Sequence, residues 1–144
     1  MVVVTETQRK AGVDWVYETQ LKGDSLDPDA FMSRYTDDVH VNFGNSAPLV
    51  GVHTFKEWFA GQVGVIHTMK HEPVDIDVLP NKIVQSCKIT YTFKGKEDEE
   101  IRVNGLAVWW KTPEEDKARR FDVYGDFEEV RTKGVQAAKR LGFV

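Results

Sequence analysis

A chain of 144 residues, 41% hydrophobic and 29% charged, has room for one domain around one sizeable core. Its net charge of −4 comes with Lys and Arg scattered along the chain, which speaks against a nucleic-acid surface or a polybasic membrane patch. Cys87 is the only cysteine, so neither an internal disulfide nor a Cys-based metal site can be built.

The opening residues are three valines and then charges. A signal peptide needs an apolar run of ~7–15 residues and a membrane span ~20, so a cytoplasmic chain is expected. From Thr5 to Lys22, Val13, Val16, Tyr17 and Leu21 recur at helical spacing, and Gly23 supplies a stop. Asp27-Pro28 pairs an N-cap with a first-turn proline, opening a second helix whose buried stripe includes Phe31 and Tyr35. In 39–44, Val39, Val41 and Phe43 alternate with His40 and Asn42, the period of a strand. After the turn 45–48 and Gly51, Thr54 and Glu57 have the spacing of a capping box. The helix it opens carries Trp58, Phe59 and Val63 and is predicted to run to about Ile66, weakened by Gly61 and Gly64.

His71 then precedes four strand-like runs at 72–79, 82–94, 99–111 and 119–128. Strands of this length make a sheet wide enough to curl. The acidic runs 97–100 and 114–116 are expected at solvated loop tips. A short final helix after Arg131 carries Val135, Ala138 and Leu141. Helices segregated to one side of a mostly antiparallel sheet make an α+β domain spanning 1–144.

This order, with Tyr35-Thr-Asp-Asp-Val-His-Val-Asn-Phe43, Pro48-x-x-Gly51, His71 at the exit of the third helix and Tyr124-Gly-Asp126, resembles the nuclear transport factor two-like or SnoaL-like superfamily over roughly residues 13–128. Ketosteroid isomerase, scytalone dehydratase, limonene epoxide hydrolase and polyketide cyclases belong to it. The resemblance implies a cone-shaped, curved, mixed or antiparallel sheet closed by three N-terminal helices, a cystatin-like α+β barrel. It also implies an internal pocket, no cofactor and a homodimer. Non-catalytic members exist, so fold does not settle function. The isomerase's general base would fall at Phe43, its oxyanion-hole acid near Leu106 and its helix-one tyrosine near Val16. The epoxide hydrolase's carboxylate would fall near Val123. All four positions are apolar here. Scytalone dehydratase matches better, with His71 at its catalytic histidine and Asn104 at a polar position of the penultimate strand, although its second histidine is replaced, at Phe93.

Residue chemistry supports a similar short set. His71 titrates near neutrality and can exchange a proton, or it is a partly buried histidine satisfied by backbone. His67, four residues earlier, would share a helix face with it and invites a metal reading, but no His-Glu-x-x-His pattern or third ligand accompanies it; no metal is expected. Tyr91 shares its strand phase with Cys87, Ile89 and Phe93 and either donates to a substrate oxygen or is a core tyrosine. Both phases of 103–110 are hydrophobic, and only the family register turns Asn104, Leu106, Val108 and Trp110 inward. Asp126 is in phase with Asp122 and Tyr124, at a pocket rim or on a solvated face. Arg34 either polarises a carbonyl or pairs with Asp37 or Asp38. Phe43, Cys87, Leu106, Trp110 and Trp58 would line the pocket.

The expectation is a cofactor-independent isomerase, cyclase or dehydratase acting on a small apolar, polycyclic metabolite. His71, Tyr91, Asn104, Asp126 and Arg34 would form its catalytic set, without nucleic-acid or membrane partners. Two other readings stay open: a ligand carrier or dimeric adaptor with a filled core, and a metal-dependent hydrolase using His67 and His71.

Overall fold

The computed structural model describes residues 3–144; Met1 and Val2, part of the stretch read above for a signal peptide, lie outside the described residues. Among the described residues no helix is long and apolar enough to cross a membrane. The chain runs α1 (Glu6–Asp24), α2 (Pro28–Met32), β1 (Tyr35–Phe43), β2 (Leu49–Val50), α3 (Val52–Val63), β3 (Ile66–Val78), β4 (Ile83–Phe93), β5 (Lys96–Trp110), β6 (Ala118–Gly125) and α4 (Glu128–Arg140).

The strands form one sheet in the order β2-β1-β6-β5-β4-β3. Only the β1–β6 pair is parallel. This is an α+β cone, but the expected barrel is corrected: β2 and β3 are free edges. Pro73 is tolerated because β3 is an edge strand, and the register slips beside it, between Pro73 and Asp75. Nor do three N-terminal helices close the concave face alone; α4 covers part of it through Ala137, which packs among Ile89, Tyr91, Phe93, Ile101 and Val103.

Local chemistry explains the helix starts. Asp27 caps α2 through the amides of Asp29 and Ala30, as expected. The capping box, however, is at Thr5 and Gln8, which exchange side-chain and backbone hydrogen bonds at the start of α1. At Thr54–Glu57 it is absent because α3 has already begun. Gly51, at φ 92°, turns the chain, and its amide bonds to Val39 O. A positive φ there suits glycine.

The buried face of α1 also differs from the expected stripe. Gly12, Trp15, Val16, Thr19, Gln20 and Gly23 are buried, while Tyr17 and Leu21 are exposed. Close approach sets this phase: a Cβ on Gly12 would lie 2.7 Å from Val78 Cγ2. Two further boundaries shift. Tyr35 belongs to β1 rather than to the second helix, and residues 97–100 extend β5 as exposed strand rather than forming a loop tip.

One large cluster holds Trp15, Val16, Phe31, Tyr35, Val39, Val41, Phe55, Phe59, Trp109 and Phe121. Its rings interlock edge to face, with Phe31–Tyr35 centroids at 5.3 Å and Tyr35–Phe55 at 5.1 Å, the geometry aromatic quadrupoles favour. Trp109 Nε1 donates to Tyr35 Oη at 3.1 Å, so the buried indole is satisfied. A second, smaller cluster fills the space between β3, β4, β5 and α4.

Candidate functional site

Helix α3 ends at Val63 and β3 starts at Ile66, so His71 lies within a strand, opposite Ile89, rather than at a helix exit. The same shift separates His67 and His71 by about 13 Å along an extended backbone, and the expected shared helix face disappears. His67 is exposed and its Nδ1 lies 3.2 Å from Thr92 Oγ1. Among the described residues no group of three or more His, Cys, Asp or Glu side chains could hold a metal ion.

What His71 touches is Asp24, the last residue of α1. One carboxylate oxygen accepts the His71 backbone N–H at 2.8 Å, and the other lies 2.6 Å from Nδ1. Both side chains are largely buried, at 19% and 16% exposure. An ionised carboxylate only accepts, so against Asp24 the Nδ1 nitrogen is the donor and Nε2 is the ring nitrogen left for another partner. Among the described residues Nε2 has no hydrogen-bond or ion-pair partner. The helix dipole disfavours a carboxylate at a C-terminus; the two-point contact with His71 is what holds Asp24 there.

Next to the pair on β4 stand Tyr91 and Cys87, both in the buried, inward row with Ile83, Gln85 and Ile89. Burial, then the proximity of Cys87 and Asp24, push the Tyr91 phenol well above its ordinary range. Burial and Asp24 push the Cys87 thiol up to about 11. Tyr91 is therefore a neutral hydrogen-bond donor at any physiological pH, and Cys87 is an unreactive thiol. Leu26 and Met69 pack alongside, and Phe43 and Trp58 pack on each other at 5.0 Å.

Three expected members lie elsewhere. Asn104 is exposed: in β5 the buried row is Ile101, Val103, Gly105, Ala107 and Trp109. Leu106 and Trp110 share the outer face with Asn104, opposite Tyr124 and Arg120, so none of the three lines the interior. Gly105 explains the phase, because a Cβ there would come within 3.2 Å of Ile89 Cδ1 inside the cone. Arg34 stacks on Trp15 at 4.9 Å and donates to Thr19 Oγ1 at 2.9 Å; its carboxylate neighbour is Glu18, not Asp37 or Asp38. Asp126 is exposed and accepts the Glu128 amide, fastening the start of α4.

Sequence reasoning passed over Asp24, 47 positions from its partner, although a carboxylate closing a helix was the available signal. It also passed over Gln85, a polar residue in the apolar row of β4, and Gln20 on α1. Asp122 was read as half of a solvated pair; it is buried instead, bonded to Asn42, Trp110 and Arg120. The two cavities described, of about 240 and 300 Å³, run along α4. Neither is lined by His71.

No family model matches the chain, and no curated protein matches it. Solved structures do. PrhC from Penicillium brasilianum NBRC 6234 aligns with a TM-score of 0.76 at 12% identity, covering 94% of this chain and 92% of its own. A protein from Jannaschia sp. CCS1 described as a SnoaL-like polyketide cyclase aligns at 0.73 and 12% identity, covering 91% and 96%. An epoxide hydrolase of the LEH-like type from M. tuberculosis aligns at 0.70 and 9% identity, covering 94% and 98%. At such identities the likeness is one of fold, and the fold is the nuclear transport factor two-like, SnoaL-like α+β cone.

Proposed function

We propose that this protein is an acid–base catalyst of the isomerase, cyclase or dehydratase type, acting on a small apolar ketone or hydroxyketone held against the inner face of β3 and β4. One observation carries the reading: the two-point Asp24–His71 contact. A carboxylate that fixes an imidazole's tautomer and stabilises its protonated form is the arrangement a neutral-pH base needs. The solved structures with this fold include proteins named as a cyclase and as an epoxide hydrolase, which supports an enzyme without specifying its reaction.

In this reading Nε2 of neutral His71 removes a proton from the carbon next to a carbonyl. The C–H electron pair moves into a carbon–carbon double bond, and the carbonyl oxygen takes up the charge while accepting a hydrogen bond from the Tyr91 hydroxyl. Asp24 stabilises the imidazolium that results. Returning the proton to a different carbon completes an isomerisation; giving it to a departing β-hydroxyl releases water and completes a dehydration. Asn104, Asp126 and Arg34 have no part in this chemistry.

The test is turnover of a panel of cyclic β-hydroxyketones and β,γ-unsaturated ketones by wild type, His71→Ala and Asp24→Asn. General acid–base catalysis contributes about 10²–10⁴-fold, and losses of that order are expected for His71→Ala, with a smaller loss for Asp24→Asn. Loss of substrate turnover in neither variant sinks the proposal. A second reading, a ligand carrier, is favoured by the near-complete burial of Tyr91 and Cys87, at 6% and 4% exposure. It predicts saturable binding of panel members without product.

A further inference from the structure

Gln85 is fully buried, and among the described residues neither its amide nitrogen nor its amide oxygen has a hydrogen-bond partner. Gln20 is also buried, and its side-chain oxygen is unpartnered in the same sense. Buried polar groups are almost always hydrogen-bonded, and leaving one without a partner costs the full desolvation of that group. A strand needing only packing at position 85 would carry another Ile or Val.

The two amides belong to one interior. Gln85 is in the inward row of β4 with Cys87, Ile89 and Tyr91, and it pairs across the sheet with Ile76 and Ala107. Helix α1 is pinned along β3 at two points, Gly12 against Val78 and Asp24 on His71. Gln20 is about 12 Å along the helix from Gly12 and about 6 Å short of Asp24, so it lies nearer the Asp24–His71 end, whereas Gln85 lies toward the other end, opposite Ile76, two residues from Val78. Gln85 itself is four residues from Ile89, the partner of His71, or about 13 Å of extended strand.

We infer that Gln85 is a second polar subsite facing the Asp24–His71 end across an apolar span, and that it reads an oxygen on the remote end of the ligand. This rests on the catalytic reading above and narrows its substrate class: a fused-ring compound bearing a reactive carbonyl at one end and a hydroxyl or second carbonyl at the other. An amide suits this role because it offers a donor and an acceptor together. The span between the two ends matches two fused rings more closely than one. The ring system would lie on Cys87 and Ile89, in the row that runs from the partner of Ile76 to the partner of His71.

Two probes that differ at one end test it: 6-hydroxy-1-tetralone and 1-tetralone, titrated by tryptophan fluorescence against the full-length protein and its Gln85→Leu and His71→Ala variants. Wild type is expected to prefer the hydroxylated probe by about tenfold or more, since a site built to bond a hydroxyl discriminates against the analogue lacking one. Gln85→Leu should bring the ratio close to one while 1-tetralone binds as before. His71→Ala should keep the ratio of probe affinities and lose turnover of the β-hydroxyketone and β,γ-unsaturated ketone panel, so failure of the subsite and failure of the catalytic assignment appear in different readouts. Thermal unfolding supplies an independent arm: Gln85→Leu should raise Tm, because an unpartnered amide is replaced by apolar packing. A ratio unchanged in Gln85→Leu, binding of neither probe to wild type at millimolar concentration, or a fall in Tm showing Gln85 to be a satisfied structural amide would each overturn the inference.

Discussion

The concave face of the sheet has two covers of unequal quality. Under α1, α2 and α3 the interior is locked by aromatic contacts. Trp109 is 2% exposed, stacks on Phe121 at 5.4 Å and meets Trp15 edge-on at 5.9 Å. Six residues of α1 are buried there, whereas α4 buries only Ala137. Helix α4 is fastened by polar contacts at its rim, Lys133 to Glu99 at 2.7 Å and Arg140 to Lys94 O at 2.8 Å, and a cavity of about 240 Å³ lies beneath it. Local stability follows such differences in buried contact. The dense half fixes the strands; the half under α4, which holds Tyr91 and Cys87, is expected to open at lower cost. A site that must admit an apolar ligand needs that division.

The strongest way to break the comparison is to cut the dense half. Trp109→Ala removes a ring with several aromatic neighbours and leaves Tyr35 Oη without its donor. A loss of about 3–5 kcal/mol is expected for truncating a buried Trp, read from urea unfolding. The same measurement on Val130→Ala, in the looser half, should give less than half that loss. Equal losses would show that the two halves are one cooperative core.

How much of this was legible in the sequence turns on which residues had a single physical solution. The alternation of Val39, Val41 and Phe43 with His40 and Asn42 leaves one strand phase, and the Asp27-Pro28 start leaves one cap; both are found. The inward phase of Tyr91 with Cys87 and Ile89 is found too. In β5 both rows are apolar, so Leu106 and Trp110 could be placed on either face, and Gly105 was the residue that decided it. The Asp24–His71 pair was out of reach for another reason: it depends on how α1 lies across β3, set by Gly12 against Val78, which no local pattern records. The local pattern ends a helix at about Ile66 and starts a strand at 72, and only pairing with β4 makes the residues between them strand.

Acid tests the dense half from its back. Asp122 ties three strands together on the convex face, accepting from Asn42 on β1 at 2.8 Å, Trp110 on β5 at 2.9 Å and Arg120 on its own strand β6 at 3.1 Å. Burial alone would raise its pKa, but these hydrogen bonds and the Arg120 charge outweigh it and hold the carboxyl below its ordinary range. A depressed folded-state pKa means stability that is fully present above the unfolded value, about 3.9, and is lost as pH falls through the folded one. Wild type should therefore lose stability as the pH drops below about 4, and Asp122→Asn should lose less over that interval after starting about 1–3 kcal/mol lower at neutrality. Parallel pH profiles for the two proteins would mean that the clamp contributes nothing.

The smallest effect sharpens the comparison most, because it reports opening rather than energy. Cys87 is 4% exposed and its thiol is raised to about 11, so at pH 8 only about one molecule in a thousand would carry the thiolate that alkylating reagents need. In the closed state labelling should be far slower than for a free thiol. Breaking the Lys133–Glu99 pair by Lys133→Ala removes a partly exposed, solvent-screened contact that contributes only a small amount to global stability. That amount is still enough to multiply a local opening equilibrium several-fold. Iodoacetamide labelling of Cys87 should then accelerate several-fold while the urea midpoint barely moves. An equal acceleration from removing Arg9, whose partner Glu6 is on the first turn of α1, would show that Cys87 is reached by general loosening. Acceleration confined to Lys133→Ala makes α4 the side by which the interior communicates with solvent. Ligand entering by that side would meet Tyr91 and His71 before Gln85.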